Sequence, residues 1–305
     1  MDPPLGRYAG PAYHPPVTHP AQRPVPGGAH RLVDRLAMAV EDGVDRPPVS
    51  WRAGPDGPLD PFGPPGPVPP LRVTGARGAR RGTAILLPPW KFRSPAVLSG
   101  WVRSLAGAGL EVWLAVPPLH LERTPPGQRS GEGVVSPDLA RMREVLAQAV
   151  LEARACVVRA SAAGGEVVVV GLSFGALVAA WVATGPERVD RVALVAPQAD
   201  LGAVFRETPI GRRYAALAER AGHPVPGPEE LARRLGWLVP LERHPTAGQV
   251  LVAGGRYDAI AVGGAEAVAR AWAAPLRQFP RGHLTLLLAC AAVRREVARF
   301  AAGGK

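Results

Sequence analysis

Cysteine is scarce in this chain, and its scarcity excludes several kinds of protein. The 305 residues include two cysteines, Cys156 and Cys290, and neither has Cys-x-x-Cys or Cys/His spacing around it. This excludes a disulfide framework and a cysteine-based zinc site. We therefore expect both thiols to be core residues of a protein that needs no metal.

Lysine is equally rare, with only Lys91 and Lys305, so arginine carries the formal net charge of +11. The arginines are scattered among Ala, Gly and Pro. Their densest group, Ala76–Gly82 (ARGARRG), has no aromatic residue that stacks on bases and is predicted to be a turn between two strands. We expect no nucleic-acid partner and at most weak contact with an anionic surface.

The N-terminal region lacks the apolar stretch of a secretory signal, which favours a cytoplasmic location. Residues 1–29 contain eight prolines and residues 47–70 contain ten, so neither segment suits a helix or a central strand. Between them, the apolar spacing predicts a short amphipathic helix over residues 31–41. Residues 1–70 are therefore predicted to be a Pro-rich extension with one short helix.

From Leu71 onward, short β-branched runs alternate with longer Ala/Leu/Arg runs, as in a parallel sheet with crossover helices. Residues 199–246 interrupt this alternation with a mostly helical stretch, which predicts a lid-like insertion in a domain spanning 71–305. The predicted strands are 71–75, 83–88, 111–116, 166–170, 191–196, 249–253 and 275–279. The predicted helices are 95–106, 137–160, 176–184, 262–272 and 284–300.

Residues 167–186 carry no charge over the length that a transmembrane helix needs. However, Val167–Val170 are four successive β-branched residues before a glycine, which suits a strand buried on both faces. We therefore disfavour a membrane protein anchored by this stretch and expect no integral membrane segment.

The same stretch contains Gly171–Gly175 (GLSFG), a Gly-x-Ser-x-Gly pattern between a valine run and an Ala-rich helix. A strand that turns directly into a helix forces the residue at the bend into positive φ and requires small neighbours. Gly171 and Gly175 meet this requirement, so Ser173 is a candidate nucleophile at a helix N-terminus.

A nucleophilic serine needs a histidine base and a carboxylate that orients the base. Ligands bind at the carboxyl edge of an open α/β sheet, so both partners should follow strand ends. Asp258 in GGRYDAIA and His283 in RGHLTLL follow two late strands. Asp200, after the preceding strand, is a second candidate for the acid, and Asp258 is favoured.

Together these features resemble the α/β-hydrolase superfamily over about residues 71–300. The resemblance implies a mostly parallel sheet flanked by helices, and an acyl-enzyme mechanism. In that mechanism Ser173 is the nucleophile, His283 the general base and then acid, and Asp258 the orienting acid.

The resemblance also implies an oxyanion hole made of two backbone N–H groups. One belongs to Phe174, which follows the nucleophile. The other belongs to the loop after the second strand, where many relatives carry His-Gly-x and this chain has Pro88-Pro89-Trp90. Because proline has no N–H, Trp90 is the first residue able to donate.

A polar stretch after the third strand, PPLHLERTPPGQRS, contains His120, Glu122 and Arg123. His120 and Arg123 are expected to bind an anionic or polar part of the substrate. The alternative is a salt-bridged surface loop.

These observations predict a cofactor-independent serine hydrolase that cleaves a small-molecule carboxylic ester or thioester. Peptidases, lactonases and acyltransferases use the same triad, so the reaction subclass stays open. The alternative is a non-catalytic α/β-hydrolase-like scaffold that binds a partner or lipid through the Pro-rich arm.

Overall fold

A computed structural model describes residues 63–227, 229–230, 235 and 238–304. The helix expected over 31–41 and most of the Pro-rich extension lie outside these residues. The described chain forms seven strands, each within two residues of its predicted bounds: β1 (Leu71–Thr74), β2 (Gly82–Leu87), β3 (Leu110–Ala115), β4 (Glu166–Leu172), β5 (Arg191–Val195), β6 (Gln249–Gly255) and β7 (Leu276–Phe279).

The seven strands form one sheet in the order β1-β3-β2-β4-β5-β6-β7. Only β1 is antiparallel to its neighbour, and every other pair is parallel. The valines of β4 are 3% exposed or less, and they alternate between the cores on the two faces of the sheet. A strand covered on both faces explains why the sequence is apolar without interruption there.

Helices cover both faces of this sheet. The face that carries Val168 and Val170 packs against α1, α7 and α8, and the opposite face packs against the other helices. The helices are α1 (Ser99–Gly107, after a 3₁₀ turn at Pro95–Leu98), α2 (Leu139–Ala162), α3 (Phe174–Ala183), α4 (Leu201–Glu207), α5 (Pro209–Arg220), α6 (Gly264–Ala271), α7 (His283–Ala289) and α8 (Ala291–Ala301).

The single closing helix predicted over 284–300 is wrong, because the chain breaks at Cys290 into α7 and α8. Cys290 has an extended backbone, with φ −95° and ψ 98°, and its side chain is buried in the core. The indole Nε1–H of Trp101 donates to the carbonyl of Leu287 at 2.7 Å. This contact with α1 occupies the Leu287 carbonyl, which a continuous helix would use for its own hydrogen bonds.

The charge-free stretch 167–186 is divided between β4 and α3. Among the described helices, none has both the length and the apolar character needed to cross a membrane. Farther along the chain, α4 and α5 lie between β5 and β6, inside the segment predicted to be an insertion.

Candidate active site

Ser173 lies at the junction of β4 and α3, which are separated by this one residue. Its backbone has φ 53° and ψ −110°, the left-handed region predicted for the bend. A Cβ atom on Gly171 would lie 2.3 Å from the carbonyl oxygen of Gly175, so strand and helix meet too closely for a larger residue. The Ser173 N–H donates to the Val195 carbonyl at 2.9 Å, which ties the bend to β5.

The structure brings Ser173, His283 and Asp258 together from three separate strand ends. His283 Nε2 lies 2.8 Å from Ser173 Oγ, and His283 Nδ1 lies 2.7 Å from Asp258 Oδ2. The side chains of His283 and Asp258 are 4% and 7% exposed, so the contacts are shielded from bulk water. The three side chains form a continuous hydrogen-bonded chain, which is the geometry that acyl transfer by a serine, a histidine and a carboxylate requires.

Asp258 is held as a carboxylate. Burial alone would raise the pKa of this group, but the charge and hydrogen bond of His283 and the N–H groups of Ala261 and Ile260 lower it below 3.8. Both N–H groups donate to Oδ1 at 2.8 Å. Because the carboxylate only accepts, Nδ1 of His283 carries the proton and Nε2 is free to accept from the Ser173 hydroxyl.

Asp200, the second candidate for the acid, lies elsewhere. It caps α4 by accepting a hydrogen bond from the Ala203 N–H at 2.8 Å, and its side chain is 60% exposed. The carboxylate that contacts His283 is therefore that of Asp258, as the sequence favoured.

A cavity of about 340 Å³ opens beside Ser173 and His283. Most of its lining is aliphatic or aromatic, which suits an apolar ligand. The lining comes from the loop after β2, from α2 and α3, from α4 and α5, and from α7. Apolar residues that line it include Val134, Val135, Met142, Leu146, Leu177, Leu201, Val204, Phe205, Ile210, Leu238, Ile260, Leu284, Leu287 and Leu288.

Phe174 and Trp90, the two predicted oxyanion-hole donors, line the same cavity as Ser173. Within the described ranges, neither backbone N–H has a hydrogen-bond partner. The indole of Trp90 is fixed by donating from Nε1 to the Gly131 carbonyl at 2.7 Å. Two unpaired N–H groups at the wall that holds the serine can receive a ligand oxygen.

Comparison with solved structures identifies the architecture. A structure from Thermus thermophilus, TT1662, has a TM-score of 0.54 and 18% identity, covering 77% of this chain and 100% of that chain. The acylaminoacyl peptidase of Pyrococcus horikoshii has a TM-score of 0.52 and 10% identity, covering 75% of this chain and 37% of that chain. The chain adopts the α/β-hydrolase fold.

The fold predicted from the sequence is thus confirmed. No family model and no curated protein matches the chain. In this α/β-hydrolase fold, Ser173, Asp258 and His283 all follow strands at the carboxyl edge of the sheet, after β4, β6 and β7.

His120 does not face the cavity of the α/β-hydrolase domain, so the expected substrate contact needs correction. The side chain is 0% exposed, with Nδ1 2.8 Å from the Pro118 carbonyl, while Nε2 accepts from the Lys91 N–H at 3.1 Å. Its ring stacks against Phe92 and Phe174. Because both ring nitrogens have partners within the protein, His120 stabilises the loop that carries Trp90 and is not available to a ligand.

Arg123 is likewise committed to the protein. It forms a two-pronged ion pair with Glu152, at 2.6 and 2.7 Å, and donates to the Val116 carbonyl at 2.9 Å. Glu122 pairs with Arg72 at 2.7 Å. The alternative interpretation of this stretch, a salt-bridged loop, fits these contacts, and Arg123 is corrected from a substrate contact to a loop anchor.

Gln198 is a residue of the site that the sequence analysis missed. It is 7% exposed, lines the cavity, and its Nε2 lies 3.2 Å from Ser173 Oγ. It follows β5, whose last residue is Val195. A search for any polar residue after each strand would have found it, whereas a search for carboxylates passes over it to Asp200.

The two cysteines lie away from this site, in the core. Both are buried with free thiols, and burial raises the pKa of Cys156 to about 12. Over the residues that the structure describes, no group of three or more His, Cys, Asp or Glu side chains is arranged to hold a metal ion.

Proposed function

We propose that this protein is a serine hydrolase that cleaves carboxylic esters or thioesters through an acyl-enzyme on Ser173. The observation that supports the proposal is the contact chain from Ser173 through His283 to Asp258, at 2.8 and 2.7 Å, at the wall of an apolar cavity. The α/β-hydrolase fold carries this arrangement at the usual edge of the sheet.

In the proposed acylation step, Ser173 Oγ attacks the substrate carbonyl carbon while His283 Nε2 takes the hydroxyl proton. The N–H groups of Phe174 and Trp90 donate to the oxyanion that forms. His283 then gives its proton to the leaving alcohol or thiol as the bond to it breaks. Asp258 stabilises the positive charge that His283 carries between these transfers.

In the proposed deacylation step, His283 Nε2 removes a proton from a water molecule that attacks the acyl-enzyme. The second oxyanion collapses, and the Ser173–acyl bond breaks. Oγ recovers its proton from His283, and the carboxylic acid leaves. The cycle is therefore complete with water as the only co-reactant.

The apolar lining of the cavity supports an acyl group as the part of the substrate that binds there. A peptide would place several backbone N–H and C=O groups against aliphatic side chains, which leaves polar groups unpaired at a cost. An acyl chain has no such groups. We propose that α4 and α5 belong to a lid-like insertion, residues 199–246, that shapes this acyl pocket within a hydrolase domain spanning 71–305.

The test is covalent labelling of the full chain with a fluorophosphonate probe, followed by p-nitrophenyl esters of increasing acyl length. We expect the wild type to be labelled and Ser173→Ala to remain unlabelled. Ser161→Ala, at an exposed position near the end of α2, is the matched control and should label like the wild type. A folded wild type that neither labels nor hydrolyses any ester would reject the proposal and favour the non-catalytic scaffold.

A further inference from the structure

Gln198 contacts the proposed nucleophile, Ser173, although the triad does not require this contact. Its side chain is buried, lines the cavity and contacts Ser173 Oγ through Nε2 at 3.2 Å. The turn that leads to it is constrained, because Ala196 has φ 51° and its N–H donates to the Ala253 carbonyl at 2.8 Å. Backbone strain of this kind persists only where the surrounding structure holds it, so the chain two residues before Gln198 is firmly held at the end of the sheet.

The chemistry of Ser173 settles the orientation of this amide. A hydroxyl has one proton to donate, and that proton goes to His283 Nε2 at 2.8 Å. Towards Gln198 the serine oxygen can therefore only accept, so the amide nitrogen must face it. The amide oxygen Oε1 is left for some other donor.

Oε1 of Gln198 is a buried acceptor that lacks a hydrogen-bond partner in the described part of the chain. A buried carbonyl without a donor is unfavourable, particularly beside aliphatic walls. Leu201 and Val204, three and six positions further on, line the same cavity and offer no donor from their side chains. A ligand with an O–H or N–H group would complete this acceptor.

We infer that Gln198 is a specificity-determining residue that selects acyl substrates bearing an O–H or N–H donor near the scissile carbonyl. Nε2 and Oε1 belong to one amide group, and Nε2 touches the attacking oxygen. A donor two or three bonds from the carbonyl carbon under attack can therefore reach Oε1. Hydroxyacyl esters are the simplest members of this class. The inference rests on the proposed role of Ser173 as nucleophile.

The experiment compares p-nitrophenyl 3-hydroxybutyrate with p-nitrophenyl 3-methylbutyrate, in which a methyl group replaces the hydroxyl donor. The two enantiomers of the hydroxy ester are assayed separately. We expect the wild type to hydrolyse one hydroxy enantiomer with a kcat/KM about tenfold higher than the methyl ester, after subtraction of the Ser173→Ala background. Equal rates for all esters would overturn the inference while leaving the proposed function intact.

Two variants at position 198 separate the roles of the amide. Gln198→Met, nearly the same size but without polar atoms, should hydrolyse the hydroxy and methyl esters equally. Gln198→Glu keeps an acceptor and loses the donor to Ser173, so it should slow both esters yet still favour the hydroxy ester. Persistence of the preference in Gln198→Met, or its loss in Gln198→Glu, contradicts the inference.

Fluorophosphonate labelling of each variant reports whether Ser173 is still reactive. A wild type that does not label rejects the proposed function itself. A wild type that labels but shows no preference rejects only the role of Gln198. If Gln198→Met fails to fold, as judged by circular dichroism, Gln198→Leu takes its place, because it also lacks an acceptor and should likewise show no preference.

Discussion

Gly175 in α3 lies directly against the main chain of Leu87, the last residue of β2. A Cβ atom on Gly175 would be 2.1 Å from the Leu87 carbonyl oxygen and 2.8 Å from that of Pro88. The helix behind Ser173 and the loop that leads to Trp90 therefore touch through a position that has no side chain. One residue couples the nucleophile to the candidate oxyanion donor.

Gly175→Ala is expected to reduce both stability and activity. The added methyl meets backbone atoms, which cannot rotate away, so the helix must move from the strand end. We expect a loss of about 2–3 kcal/mol in the free energy of unfolding, measured with urea. Displacement of Trp90 relative to Ser173 should lower ester hydrolysis by about 100-fold.

Gly107→Ala is the matched control, because a Cβ there has nothing within 4 Å and the residue is exposed at the end of α1. This variant should unfold and hydrolyse esters like the wild type. Equal behaviour of the two alanine variants would show that α3 and the β2 loop have more room than the structure gives them.

Asp258→Asn should lower kcat by about 10³–10⁴-fold with little change in overall structure. The carboxylate accepts the Nδ1 proton of His283 at 2.7 Å, and an amide that presents its NH₂ group there would favour the wrong tautomer. Asp200→Asn is the control, since Asp200 caps α4 and lies 3.9 Å from Arg206 but does not contact His283. A larger effect from Asp200→Asn than from Asp258→Asn would reverse the assignment of the acid.

His120 predicts an acid dependence of stability in a defined window. Burial, together with the charge of Arg123, lowers the pKa of His120 from 6.5 to about 4, despite the hydrogen bond to Pro118. Between these values the unfolded chain binds the proton that the folded protein excludes. Stability is therefore fully present above pH 6.5 and falls by about 3 kcal/mol as the pH drops through about 4.

His120→Gln removes this titration while keeping a neutral hydrogen-bonding side chain. We expect the free energy of unfolding, measured with urea at pH 7, 6, 5 and 4, to differ most between the two proteins at pH 7. The difference should shrink as the pH falls. A difference that stays constant with pH would mean that His120 is not held neutral. The lowered pKa of Asp258 adds its own loss of stability from the acid end of this window downward, but that loss is the same in both proteins and cancels in the comparison.

The proposed acyl pocket can be tested by placing a larger side chain in the cavity. Val204 in α4 is 3% exposed and lines the cavity, so Val204→Phe should shift the preferred ester towards shorter acyl chains. The variant should label with fluorophosphonate like the wild type. Val158→Phe, at a position that is 48% exposed on α2, should leave chain-length preference unchanged. An unaltered length profile in Val204→Phe would place the acyl chain elsewhere.

The sequence predicted the sheet well because its strands are buried on both faces. Val167–Val170 carry the strand signal locally, and the need for small residues at Gly171 and Gly175 is also local. Ser173, Asp258 and His283 could be predicted because each lies within four residues of the end of a strand. Strand order then brings together residues that are far apart in the chain.

The failures depended on contacts that the sequence does not display. His120 is enclosed by Phe92 and Phe174, which arrive from different parts of the chain, so its burial could not be inferred from its polar neighbours. The break at Cys290 is accompanied by the hydrogen bond between Trp101 and Leu287, and no proline or glycine marks it in the sequence.

The position of α4 and α5 between β5 and β6 bears on how this protein can diverge. In the proposed mechanism the groups that contact the reacting atoms follow β2, β4, β5, β6 and β7, whereas Leu201, Val204, Phe205 and Ile210 come from one continuous stretch of chain. Mutations in that stretch can accumulate without moving the triad. Under the proposed function, changes in this single segment alter the acyl preference while the chemical step stays the same.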